Sequence, residues 1–274
     1  MLDAVLLFRN ALYGTLVIAV TCAVLGVYVV LRRIVFVGAA LAQLSSAGIA
    51  VSLWLGGLGV SVGILTRPLP LALVVTLLGA LFFGLGAVRR RVQQDATIGV
   101  TYAVAGALGI LLIAKAATGE AHDIFLQGNI LGLTGRDTLL ELAVSVPVLL
   151  LHAVFYKEFL FVSFDPETAR TLGYRVDRWT LLLYFSLGLV IAFAIQFAGV
   201  LLVFNFLVLP AVTGLLVTRS MAGTFTVSVA AAVAAAVAGF AVSVWLDLPS
   251  GAAIIAASGV LVALAWIVGR SLRR

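Results

Sequence analysis

Long uncharged runs recur along this chain, and they restrict its fold more than any motif does. LVIAVTCAVLGVYVVL (16–31) and LLLYFSLGLVIAFAIQFAGVLLVFNFLVLPAVTGLLV (181–217) carry no charged side chain. A run of about 20 apolar residues matches the hydrocarbon thickness of a bilayer, where each backbone N–H and C=O must be paired within the chain. Helices meet that demand locally. The composition agrees: 64% of residues are hydrophobic, 10% are charged and the mean hydropathy is +1.25, against about half apolar and about a quarter charged in soluble domains. An all-α integral membrane protein is therefore expected, with residues 1–274 forming a single transmembrane domain.

Spans are expected near 8–31, 34–57, 68–88, 96–115, 138–156, 179–198, 200–218, 222–246 and 251–269. Only Gly199 separates the sixth from the seventh. Either nine spans cross, or one of that pair is short, broken or re-entrant and eight do. No short apolar segment with a small-residue cleavage site precedes the first span, so no removable signal peptide is expected.

The formal net charge is +6, but the basic residues lie in small clusters between apolar runs. That distribution is one of membrane topology, and no nucleic-acid partner is expected. Placing the loop that holds FDPE (164–167) in the cytoplasm puts thirteen of the 17 basic residues inside, among them Arg32, Arg33, Arg89, Lys157, Arg178, Arg219 and Arg270. Arg9, Arg67, Lys115 and Arg136 remain outside. An excess of Lys and Arg marks the cytoplasmic side, so the N-terminus is expected outside and the C-terminus inside.

Every one of the 11 acidic residues falls in a loop or near an expected span end. Proton- and sodium-coupled carriers usually hold an ionisable group near the middle of the bilayer, and no clear one is offered. The chain also lacks a G-x-x-x-x-G-K-[ST] phosphate loop, so it is not expected to bind ATP itself. An intramembrane protease is excluded by the absence of G-x-S-x-G and of paired intramembrane aspartates. The one cysteine, Cys22, lies within an apolar run and is expected to pack inertly. His152 is expected at the inner interface.

The polar stretch FVSFDPETARTLGYRVDRW (161–179) stands apart from all this. Asp165 can cap free amides, Pro166 suits the first helical position and Glu167 favours the positive end of the dipole. Ala169 and Leu172 lie three apart on one side, Arg170 sits between them, and Gly173 can end the helix in a left-handed conformation. A short capped helix between two spans is expected. It serves either as a plain surface loop or as a coupling helix for a cytoplasmic ATPase.

Several blocks, in order, resemble the permease subunit of the ATP-binding-cassette importers for zinc, manganese and iron. They are LGVYVVLRRIVFVGAALAQLSSAGIA (25–50), RRVQQDATIGVTYAVAGALGILLI (90–113), LQGNILGLTGRD (126–137), FDPETARTLGY (164–174), FAGVLLVFNFLVLPAVTGLLVTR (197–219) and WLDLPSGAAII (245–255). The resemblance implies a type II importer fold in the bacterial inner membrane. A second permease copy or paralogue, a cytoplasmic ATPase dimer holding ATP and Mg, and an extracytoplasmic solute-binding protein are implied as partners. It also implies that 164–174 is the coupling segment.

One departure bears on the cargo. The family's second-helix block usually reads G-D-A-L-S-H, whose Asp and His sit one turn apart and can bind a divalent metal. Here Gly38 matches, but Ala39 holds the Asp position and Gln43 the His position. A neutral amide is a poor ligand for Zn²⁺. Ser46, Gln196 and Asn205, with Ala39 and Gln43, form the best remaining lining of a weakly polar path, although each can equally bond a neighbouring helix. Glu120, His122 and Asp123 bring ligand-type residues together in an outer loop, as either a metal-entry point or a solvated turn. A permease of this fold for a non-metal or chelated cargo, or a permease-like scaffold without metal transport, is the alternative.

Overall fold

The computed structural model describes residues 9–59, 63, 67–86, 93–115 and 130–271, and the regular structure among them is helical. In chain order the helices are α1 (Arg9–Leu31), α2 (Val35–Gly57), α3 (Pro68–Gly84), α4 (Gln94–Lys115), α5 (Gly135–Val154), α6 (Tyr156–Phe164), α7 (Pro166–Thr171), α8 (Val176–Val217), α9 (Met221–Leu246) and α10 (Ser250–Ser271), with a 3-10 turn at Ile130–Gly132. Seven of these are long and apolar enough to cross a membrane, and Pro68–Gly84 is a shorter apolar helix of the same character.

Helix boundaries follow local chemistry. Pro68 fills the first position of α3, where a missing N–H costs nothing. Thr134 and Asp137 form a reciprocal capping box that starts α5. The Ser220 hydroxyl accepts from the Gly223 N–H at the head of α9, and Asp247, in the left-handed region, closes that helix.

The 42 residues of α8 contain one non-helical position, Gly199, with φ 75° and ψ 167°. Thr180 accepts a hydrogen bond from Arg32 at the end of α1, while Gly214 lies against Thr224, next to Phe225, whose ring meets Tyr28 of α1 at 5.1 Å. A straight helix would hold residues 180 and 214 ~50 Å apart. The chain instead folds back at Gly199, in a backbone region open only to glycine. Its arms, 176–198 and 200–217, form the hub against which α1, α2, α3, α9 and α10 pack.

Contact pairs give the directions of neighbouring helices. Gly14 lies against Thr138 and Tyr28 against His152, so α1 and α5 run parallel. Gly48 meets Ala72 while Gly79 meets Leu44, so α2 and α3 are antiparallel. Asn205 pairs with Ser258 and Leu216 with Gly269, making the second arm of α8 parallel to α10. Small residues allow these approaches: a Cβ at Gly26 would strike the Leu207 carbonyl, and one at Gly239 the Ile254 backbone.

Candidate functional site

The polar stretch folds as a compact unit. Asp165 Oδ1 accepts from the Thr168 N–H at 3.0 Å, and Pro166 follows at the first helical position. Hydrogen bonds from the Thr168 side chain and backbone hold the Asp165 carboxyl below its usual range. At the other end the Tyr174 N–H reaches the Ala169 carbonyl and the Gly173 N–H the Arg170 carbonyl, a Schellman closure with Gly173 at φ 86°. An Arg170–Asp177 pair at 3.3 Å spans the surface and contributes little, because water screens both groups. Glu167 is exposed.

Ala169 and Leu172 do not share an outward face, contrary to the sequence expectation. Ala169 is 0% exposed and packs with Val162 and Val176, with Phe161 and Trp179 beside them. Leu172 is 67% exposed. Six residues make too short a helix for two positions three apart to fix a common face once the flanking segments close over one of them. Beside Leu172 runs an open groove of about 450 Å³, lined by Gly173, Tyr174, Arg175, Arg178, Trp179 and Leu182. A separate clamp secures the flanks: Arg32 donates through Nε to Ser163 and through Nη1 to Thr180, both at 2.9 Å.

The residues expected to line a path have different surroundings. Ala39 is buried, Ser46 is buried with an unpartnered hydroxyl, and Gln43 is half-buried with its amide against Gly106 of α4. Those three share one face of α2. Asn205 is buried in α8, and its Nδ2 donates to Ser258 of α10 at 3.0 Å. Gln196 is exposed, near the fold-back at Gly199. Reversal of α8 turns its two arms toward different neighbours, which a linear reading of the run could not register.

A second correction concerns α5. The capping box starts this helix at Gly135, three residues ahead of the expected span, so Glu141 lies two turns inside it and is 1% exposed. Neither carboxylate oxygen has a hydrogen-bond partner. His152, in the last turn of α5, is also fully buried, with its ring 5.2 Å from that of Tyr28 and 4.1 Å from that of Phe159. The spacing 138, 141, 145, 148, 152 follows the helical period and could have shown that these residues share a face.

Glu120, His122 and Asp123 lie outside the described residues. Among those described, no group of three or more His, Cys, Asp or Glu is placed to hold a metal ion.

Known proteins place these features in a family. The model of the ABC 3 transport family matches residues 5–269. The chain is 29% identical over 262 residues to the manganese import system permease protein ScaB of Streptococcus gordonii, covering 95% of this chain and 90% of that protein. It is 30% identical over 260 residues to the manganese transport system membrane protein MntC of Halalkalibacterium halodurans, covering 94% and 86% respectively. Its structure is similar to a chain of PsaBC from Streptococcus pneumoniae in complex with Fab, with a TM-score of 0.85, 26% identity and coverage of 99% of this chain and 97% of that one. With similarity running nearly end to end in both sequence and fold, this multi-pass membrane chain belongs to the ABC 3 transport family.

Proposed function

We propose that this chain is the membrane-spanning subunit of an importer for a divalent metal cation, driven by ATP hydrolysis on a separate subunit. The single observation that carries the reading is the capped unit at 165–174. It holds a bare leucine beside an open groove on a surface rich in arginine. Exposed apolar anchors rimmed by polar groups suit a protein partner, and Asp165, Glu167, Arg170, Leu172 and Gly173 form that surface, with Ala169 beneath it. ATP and Mg belong to the partner ATPase dimer. A second permease copy or paralogue and an extracytoplasmic solute-binding protein complete the assembly in the bacterial inner membrane.

Nine crossings in a type II importer arrangement suit the observed directions. Parallel α1 and α5 need an odd number of crossings between them, and with α2 and α4 both long enough to cross, the 17-residue α3 is taken as the third. The two arms of α8 each cross once. With the 165–174 unit inside, the N-terminus lies outside and the C-terminus inside, in keeping with the bias of Lys and Arg.

Manganese, named for two relatives, is the first cargo to test. Vesicles holding the permease, its ATPase and the binding protein should accumulate Mn²⁺ only with ATP, whereas permease alone hydrolyses none. Ala39 and Gln43 favour a second reading, a chelated or non-metal cargo, since this block offers no charged ligand. Vesicles that exclude Mn²⁺, Fe²⁺ and Zn²⁺ while ATPase assembly persists would select it.

A further inference from the structure

α5 is built inside out. Its buried residues are Thr138, Glu141, Ser145, Val148 and His152, four of them polar, and they face α1. Its exposed side carries Leu139, Leu142, Val146 and Leu150. In lipid a polar stripe turns inward and its groups then need partners, yet Glu141 and Ser145 of this stripe make no hydrogen bond.

The stripe includes Glu141, the one buried carboxylate among the described residues. Ser145, one turn further on the same face, is 1% exposed, and its hydroxyl also has no partner. Across the seam the Cys22 thiol of α1 is fully buried, between the Gly14–Thr138 and Tyr28–His152 contacts that also bracket Glu141 and Ser145. At the near end of the seam Thr138 donates to the Asn10 carbonyl, so polar groups continue from the helix start down to Glu141.

Among the described residues, no ion pair to this carboxylate is formed. α1 has no Lys or Arg after Arg9, α5 none after Arg136 and α8 none after Arg178. An unpaired carboxylate in an apolar span is strongly disfavoured. A chain that retains one, with a free hydroxyl beside it and a thiol opposite, presents donors for a cation from outside. Carboxylate and hydroxyl oxygens suit Mn²⁺ and related ions, and sulfur is compatible with softer ones.

We propose that Glu141 and Ser145, facing Cys22 across the α1–α5 seam, form a binding site for the divalent cargo cation, on a helix face separate from Ala39 and Gln43. This rests on the importer reading, and it gives the chain a carboxylate ligand that Ala39 does not supply.

The test uses the permease–ATPase complex in lipid nanodiscs, titrated with Mn²⁺, alongside ATP-driven Mn²⁺ uptake in vesicles. Glu141→Gln keeps the size and removes the charge. It should weaken Mn²⁺ binding at least tenfold and raise the KM for uptake to match, while Glu141→Asp retains most of the binding. Binding and uptake at wild-type levels in Glu141→Gln overturn the site and make the carboxyl a protonated packing group. Should that variant fail to co-purify with the ATPase, Ser145→Ala reads the same site: a several-fold loss of Mn²⁺ affinity supports it and unchanged affinity overturns it. If the wild-type complex imports none of Mn²⁺, Fe²⁺ and Zn²⁺, the importer reading falls. If it imports one of them and Glu141→Gln does so equally well, only the Glu141 site falls.

Discussion

Arg32 and Thr180, 148 residues apart in the chain, are joined by a 2.9 Å hydrogen bond from the guanidinium to the hydroxyl. The same side chain holds Ser163. One fork at the end of α1 thus grips both flanks of the 165–174 unit, so a force on that unit reaches α1 directly. Replacing Arg32 by Lys keeps the charge but loses the planar fork. The expected outcome is a several-fold drop in transport per ATP hydrolysed with assembly intact, read by measuring uptake and hydrolysis on the same vesicles.

Leu172 and Ala169 should respond differently. Leu172→Glu places a charge on the exposed anchor and should abolish co-purification with the ATPase while the permease still inserts. Ala169→Leu overfills the packing against Val162 and Val176, at a cost of about 1–3 kcal/mol. It should lower the thermal stability of the permease alone, which the Leu172 variant leaves unchanged. Equal behaviour of the two in both assays would contradict the assigned burial.

Gly199 carries the reversal of α8. Any side chain there meets a backbone region that costs about 1–3 kcal/mol. Gly199→Ala should reduce the yield of folded permease, read by size-exclusion chromatography after mild extraction. Full yield would place the reversal elsewhere.

The Asp165 cap sets an acid limit on the 165–174 unit. Its carboxyl titrates below the ordinary range in the folded chain because the Thr168 hydrogen bonds favour the charged form. The cap's contribution is therefore complete above the carboxyl's ordinary pKa and is lost as pH falls through the lowered folded value. Hydrogen exchange at the Thr168 amide should accelerate over that acid window in the wild type. In Asp165→Asn the same amide should lack that titration.

Ala39 and Gln43 sit four apart on one face of α2, with the Gln43 amide against Gly106. Ala39→Asp with Gln43→His should create a tight metal site, because a carboxylate and an imidazole then face the same way. The double variant is expected to retain Zn²⁺ or Mn²⁺ through purification and to release it more slowly in uptake assays. Metal contents equal to wild type by elemental analysis would show that this face is not arranged to bind a cation.

What the sequence determined by itself follows from rules that act locally. Apolar run length set the helices, because lipid leaves an unpaired backbone no alternative. Gly199 marked the reversal and Asp165, Pro166 and Gly173 bounded the short helix α7, since each of these residues acts on its own turn of chain. Tertiary structure decided which way each helix faces. In lipid an apolar surface is satisfied on the outside as readily as in the core, so sequence gives little purchase on helix rotation. That is why the Asn205–Ser258 bond and the burial of Glu141 against α1 came only with the tertiary structure, while outside the membrane the flanks that close over a six-residue helix turned Ala169 inward and left Leu172 bare.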